Sequence, residues 1–255
     1  VAFDFPNSPS PGTVFSPAGG PSWQWNGQGW VNVLPAGGII GNIVQTVLLT
    51  SGSYVKSAGL RFLEVWLVGP GGAGSRAGIT TNNSCSVGGG GGGGGVCISL
   101  FAASDLSASE AYTIGAPGVG GQLAGTSGGT STFKGMSAGG GGGGTALVAA
   151  SSTFVVSGRG GGGGAVGGQI NISGGHGGQG DANGMLAGWG KGGHTGPSFF
   201  ALSLSTAYTS TSFTPYGPTG YGGGSAGGFN GFNVTSNPPG TQDGGGGCMI
   251  IKEYY

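Results

Sequence analysis

Two histidines, three cysteines, seven carboxylates and a lysine behind a glycine are the residues whose types could do chemistry in this chain. His176 and His194 lie eighteen positions apart, the first between two glycines and the second between Gly193 and Thr195. Neither the H-E-x-x-H nor the paired helical spacing that grips zinc is present, so both read as exposed loop histidines. Gly190-Lys191 resembles the end of a phosphate-binding loop. Gly192 stands where that loop needs Ser or Thr, and Met185 stands where it needs glycine, so the backbone cradle for phosphate is missing. Gly177-Gly178-Gln179-Gly180-Asp181 comes within one residue of the calcium-binding G-G-x-G-x-D repeat but occurs once. Cys85, Cys97 and Cys248 are odd in number and lack C-x-x-C spacing, the pattern of buried thiols and not of a disulfide framework or zinc site. Asp4, Glu64, Asp105, Glu110, Asp181, Asp243 and Glu253 are scattered, so only folding could bring two together as a glycosidase pair. The expectation is a protein without enzyme activity, cofactor or metal.

A binding role has better material. Between Gly184 and Asp243 the chain carries Trp189, Phe199, Phe200, Tyr208, Phe213, Tyr216, Tyr221, Phe229 and Phe232 among Ser, Thr, Asn, Gly and Pro. Rigid aromatics supplying area and small polar groups supplying hydrogen bonds make an adaptable recognition surface. The alternative is that the rings fill a core. Tyr208, Phe213, Tyr216, Tyr221, Phe229 and Phe232, nearest to prolines, glycines or polar turns, are the candidates for recognition. Ala201-Leu202-Ser203-Leu204-Ser205 alternates as a half-buried strand.

The elements that must hold these residues are set by glycine, 69 of 255 residues. Gly88 to Gly95 is a run of eight, echoed at Gly139 to Gly144, Gly160 to Gly164, Gly222 to Gly224 and Gly244 to Gly247. A run of this kind is either a flexible linker or an extended helix with three residues per turn, the polyglycine relative of polyproline II, packed against others of its kind. Glycine is not periodic and there are 13 prolines, which excludes collagen. With 36% hydrophobic and 5% charged residues and zero net charge, the chain lacks the signature of disorder and any basic field for nucleic acid. No apolar stretch is long enough for a membrane helix, and the first residues lack the regions of a secretory signal.

Leu60 to Val68 reads as the clearest strand, running into Gly69-Pro70-Gly71-Gly72, and the last eight residues from Cys248 read as a second strand that leaves glycine. These two are expected to pair and close the domain, with Glu64 and Lys252 as a cross-strand ion pair. Short β-prone inserts alternate with the glycine blocks at 96–101, 112–114, 132–133, 145–148, 153–156 and 170–172. They would be stranded in solvent between linkers but can cover the faces of a packed bundle. Residues 34–59 form a transition segment with helical spacing at 40, 43, 44, 47 and 48. Its β-branched residues and Gly41 favour a strand.

The first 33 residues differ in texture. Trp23 and Trp25 alternate as on one strand face, Asn26-Gly27 marks a turn, and Trp30 follows. A hairpin this small does not bury three tryptophans unaided. It docks on another chain, on copies of itself or on the next domain, unless the rings form a carbohydrate-binding cluster or a local core. Phe5-Pro6, Ser8-Pro9, Gly12, Phe15, Trp23, Trp25, Gly27 and Trp30 resemble a short module of bacteriophage tail and tail-fibre proteins.

Over 60–255, the strand ending V-W-L-V-G-P-G-G, Tyr112 to Gly118, Gly128 to Phe133 and the closing G-G-G-G-C-M-I-I resemble the glycine-rich domain of phage tail proteins. They are more distantly similar to the adhesins at the tips of T-even-like phage tail fibres. The resemblance implies a mostly β fold with polyglycine II helices: a glycine-rich sandwich domain at 60–255, closed by N- and C-terminal strands and preceded by a Trp-rich β module at 1–33. It further implies a virion protein, made in the host cytoplasm, that binds the host surface non-covalently through its aromatic loops. The partners would be other virion tail proteins, held through Trp23, Trp25 and Trp30, and a host surface glycan or outer-membrane protein. Nucleic acid is not an expected partner, and a homo-oligomer, a trimer first, is. A structural decoration protein of capsid or tail with no receptor-binding role is the alternative.

Overall fold

A computed structural model describes the chain apart from residues 1–5, 8, 17–21, 34–41, 81–83, 122, 150–153, 184–188, 207–208, 210–215, 232–233 and 235–241. It divides into two compact units, Val1–Ile43 with Tyr254–Tyr255, and Val44–Glu253. In the first unit, β1 (Val14–Phe15), β2 (Ser22–Trp25) and β3 (Trp30–Val33) form an antiparallel sheet. The turn after Trp25 has the chemistry expected of it: Asn26 Oδ1 accepts from the amides of Gln28 and Gly29, and Gly27 takes φ 99°.

In chain order the second unit continues with β4 (Ile43–Leu48), β5 (Gly52–Val55), β6 (Phe62–Val68), β7 (Cys85–Gly88) and β8 (Val96–Ala102). Next come β9 (Ser109–Thr113), β10 (Ser131–Phe133), β11 (Met136–Ala138), β12 (Ala146–Ala149), β13 (Phe154–Val156), β14 (Ala165–Val166) and β15 (Ile170–Ile172). The last are β16 (Asp181–Asn183), β17 (Trp189–Lys191), β18 (Phe229–Asn230) and β19 (Cys248–Tyr254). Every insert expected to be β-prone contributes a strand among its described residues, and the 34–59 segment supplies β4 and β5 and no helix among its described residues.

Two five-stranded sheets, ordered β15-β8-β6-β19-β4 and β14-β11-β10-β9-β5, form a sandwich. Period-two alternation turns Leu63, Val65, Leu67, Cys97, Met249 and Ile251 of the first sheet inward, onto Tyr54, Tyr112, Phe133, Met136 and Ala138 of the second. The end strands β6 and β19 are neighbours, as expected, and Glu64 and Lys252 meet at 3.2 Å. At 19–30% side-chain exposure this pair adds only about 0.2–1 kcal/mol.

Where sandwich strands end, glycine continues. The hydrogen bonds of Gly88 to Gly95 have a period of three. Gly88, Gly91 and Gly94 donate to the carbonyls of Gly228, Ser225 and Gly222; Gly89, Gly92 and Gly95 to those of Thr145, Gly142 and Gly139; Gly90 and Gly93 to those of Gly178 and Gly175. On the acceptor side, Gly89, Gly92 and Gly95 receive Ser75, Gly72 and Gly69; Gly90 and Gly93 receive Gly160 and Gly163; Gly88 and Gly91 receive Gly193 and Gly196. Six neighbouring segments thus surround one helix with three residues per turn, the packing of polyglycine II. Four run antiparallel to it and two, 160–163 and 193–196, run parallel.

The reason the central residues are glycine is geometric. A Cβ on any of the eight would stand 1.9–2.5 Å from a backbone carbonyl oxygen of a neighbour. Each Cα hydrogen occupies that direction instead, a Cα–H···O contact of about 0.5–1 kcal/mol. With about 0.5–1.5 kcal/mol net for each amide hydrogen bond, the sum roughly offsets the 1–2 kcal/mol lost on ordering a residue. A helix lacking some of its neighbours loses that balance, so the bundle forms as one unit.

Apolar side chains close both ends. Beyond Gly95, Val96 packs with Val68 and Cys248; before Gly88, Val87 packs with Cys85, Ala182 and Phe229. At the second end lie two three-stranded sheets, β12-β7-β18 and β13-β16-β17. Serine replaces glycine where its hydroxyl can serve the backbone: Ser75 Oγ accepts from Gly89 N at 2.9 Å and Ser225 Oγ from Gly74 N at 2.8 Å.

Gly91→Ala places a methyl group 2.2 Å from the Gly72 oxygen, and backbone on both sides must move. The expected cost is about 3 kcal/mol or more, read as a fall of roughly 6–12 °C in Tm. Gly246 has open space at its Cβ position and no positive φ. Gly246→Ala is therefore expected to leave Tm unchanged or raise it slightly.

Candidate functional site

The loops of the aromatic stretch leave and rejoin the bundle at defined points. Gly196, whose amide donates to Gly91, leads through Pro197 to Ser198; Gly222, at φ 71°, takes the chain back to donate to Gly246 and to accept from Gly94. Between them Ser198 and Ala201 exchange backbone hydrogen bonds of 3.0 and 3.2 Å around a tight turn whose tip is Phe199-Phe200. Ser198 Oγ donates to the Tyr221 carbonyl at 2.5 Å, and Thr219 Oγ1 to that of Leu202 at 2.9 Å. Two loop segments are thereby tied side by side, and they present Phe199 at 52% exposure, Leu202 at 77%, Tyr216 at 50% and Tyr221 at 38%.

One of the two tip rings anchors the turn. Phe200 is half-buried against Val68, Val96 and Cys248, and its ring lies 5.8 Å from Trp66 and 5.0 Å, edge-on, from Phe199. Trp66 also meets Phe199 at 5.6 Å. Strand alternation turns Trp66 outward on β6, where its indole N–H donates to Glu64 and Lys252 Nζ stands 5.2 Å from the ring centroid. The ion pair that joins β6 to β19 therefore also fixes the tryptophan on which the loop rests.

Of the six candidates for recognition, Tyr216 and Tyr221 are on this surface. Phe229 is not: fully buried, it packs with Cys85, Val87 and Ala182. Its nearness to glycines suggested a turn, but those glycines are bundle residues and the ring closes the bundle's end. Tyr208, Phe213 and Phe232 lie outside the described residues. The stretch Ala201 to Ser205 is not a half-buried strand either. Ala201 is buried and Leu202 projects, because 202–204 hydrogen-bond to Thr195 and Thr219 and not to a ladder. Trp66, Phe199 and Leu202 were absent from the candidates. The outward register of Trp66 was readable from Leu63, Val65 and Leu67 on alternate positions, whereas nothing local marked Leu202.

In the first unit, Trp23, Trp25 and Trp30 are all half-buried. Phe15 pairs with Trp23 and Trp25 with Trp30 across the strands, which puts all four rings on one face. Trp30 contacts Trp25 at 5.7 Å and Phe15 at 6.1 Å.

Other groups of chemical interest are dispersed. His176 and His194 are exposed in separate segments. The Nδ1 of His176 accepts from Gly162 N at 3.3 Å, and that of His194 lies 3.1 Å from both Ser203 Oγ and the Thr195 carbonyl. Asp181 faces Lys191 at 3.6 Å. Among the described residues no three His, Cys, Asp or Glu side chains gather as a metal site. The three cysteines are buried and unpaired, and burial raises each thiol pKa, that of Cys248 to about 12.

A family model described as a glycine-rich domain matches residues 46–252. No curated protein matches the chain.

The Cys248 thiol implies an alkaline limit to stability. In the unfolded chain it ionises near 9.0 and in the folded chain near 12, so its contribution is complete below pH 9 and is lost as pH rises through 12. Its full loss amounts to about 4 kcal/mol. Tm is expected to fall between about pH 8 and about pH 11, and Cys248→Ala to make that fall shallower, as read by thermal melts at the two values.

Proposed function

The chain belongs to the glycine-rich domain family, and from that premise we propose that it is a phage virion protein of the tail fibre or tail tip that binds the host cell surface non-covalently. The observation that carries this reading is the tied pair of loop segments with Phe199, Leu202, Tyr216 and Tyr221 exposed on a scaffold of interlocked backbone. Large apolar side chains gathered on a surface cost free energy in water unless a partner covers them, and aromatic rings supply contact area at small entropic cost. The loops are held at both ends by hydrogen bonds of the bundle, so little further ordering opposes binding.

The first unit attaches the protein to other virion tail proteins. Its sheet gathers Phe15, Trp23, Trp25 and Trp30 on one face, a face suited to docking and to assembly of three copies in a fibre. The host partner is a surface glycan or an outer-membrane protein. Exposed aromatics favour this reading over that of a decoration protein, whose outer surface needs no such side chains.

Purified full-length protein is expected to compete with virions for adsorption to the host. A Phe199→Ser, Tyr221→Ser double variant of unchanged Tm should need at least about tenfold more protein for the same effect, a loss of about 1.4 kcal/mol. Absence of competition at saturating protein would refute the proposal.

A further inference from the structure

The sheet β13-β16-β17 is two-sided, and its two sides differ in kind. Val155, Ala182 and Gly190 form the row that faces the Phe229 cluster. Gly190 is required there, since a Cβ would stand 2.6 Å from the Phe229 ring. The flanking rows, which period two turns to the opposite side, are Phe154–Asn183–Trp189 and Val156–Asp181–Lys191. Phe154 is 62% exposed, Trp189 50% and Val156 39%. With strands about 4.8 Å apart, Phe154 and Trp189 stand roughly 10 Å from each other with the Asn183 amide between them.

Beside Lys191 the surface sinks into a hollow of about 40 Å³ lined by Gln179, Lys191, Gly192, His194, Ser205 and Thr206. Its walls are held in place: Thr206 Oγ1 donates to the Gly192 carbonyl, and the His194 ring is fixed at Nδ1 by Ser203 and Thr195. The hollow is about the size of one hydroxymethyl group.

The geometry points to a saccharide-binding site on this face, taking an uncharged pyranose. A pyranose has an apolar face of C–H bonds, weakly positive, which rests on the negative face of an aromatic ring. Its rim is made of hydroxyls, each a donor and an acceptor, which match an amide, a carboxylate and an ammonium group. Trp189 and Phe154 supply rings at either side of Asn183; Asn183, Asp181 and Lys191 supply the polar row; the hollow receives the exocyclic group.

Other ligand classes fit less well. A phosphate or carboxylate drawn to Lys191 would meet the Asp181 carboxylate, 3.6 Å from the same nitrogen. A protein partner calls for an apolar centre depleted of charge, whereas here the charged pair adjoins the aromatic row. Nucleic acid has no basic field to engage on a chain of zero net charge.

This site shares no residue with the loop surface that carries Phe199 and Tyr221, and the two stand or fall separately. The test is a titration of full-length ¹⁵N-labelled protein with D-glucose, D-galactose and N-acetyl-D-glucosamine, and with sodium phosphate as contrast, read at the tryptophan indole N–H resonances. At least one sugar should shift the Trp189 signal, identified by its loss in Trp189→Ala, and phosphate should not. Trp189→Leu and Asn183→Ala, each with unchanged Tm, should weaken that sugar at least about tenfold, while Trp189→Phe retains binding and Tyr221→Ser has no effect. The site is refuted if no sugar shifts the signal, if binding survives Trp189→Leu undiminished, or if phosphate displaces the sugar.

Discussion

The absence of a Cβ along Gly88 to Gly95 is the constraint on which the structure depends. The amides of that helix go to three neighbouring segments and its carbonyls accept from three others, so that six segments are drawn around one. The close approach this needs leaves 1.9–2.5 Å between a hypothetical Cβ and the nearest carbonyl oxygen. Backbone groups therefore satisfy one another in an interior without side chains, where a conventional core would bury apolar groups and leave backbone pairing to sheets. Glycine, ordinarily the residue that loosens a chain, here makes the interior possible.

Such an interior has little surplus free energy, because the gain per residue is close to the entropy lost. The surplus comes from its ends. Leu63, Leu67, Phe133, Met136 and Met249 form a fully buried sandwich core on one side, and Val87 and Phe229 a smaller one on the other. Both are built from strands that are direct continuations of the glycine segments, so folding the caps aligns the helices and aligning the helices positions the caps. Long-range pairing of this kind, such as β6 with β19, makes folding slow.

Chemical variety is confined to what lies outside the bundle. The segments joining one glycine helix to the next carry the exposed aromatics. They are held where they meet the bundle by Ser198, Thr219 and Gly222 at one end and by the sheet above Phe229 at the other. A buried ring and an exposed one thus divide the work at each surface: Phe200 anchors Phe199, and Phe229 supports the sheet that presents Trp189.

Much of this was legible in the sequence. The β-branched and aromatic inserts specified strands by composition, and alternation on Leu60 to Val68 and on the C-terminal strand determined which residues turn inward and that Glu64 could meet Lys252. Glycine blocks between apolar inserts selected a packed polyglycine arrangement over linkers, since linkers would leave the inserts in water. What only the tertiary structure decided is which aromatic is inside and which outside. Phe229, Phe200 and Phe199 have the same side chain and similar glycine- and serine-rich surroundings, yet one is buried, one is an anchor and one projects. Trp189 gained a polar companion row only through the pairing of β16 with β17. Which glycine segments become neighbours is likewise a long-range choice, made by the whole bundle closing around Gly88 to Gly95, because eight identical residues carry no local information about their partners.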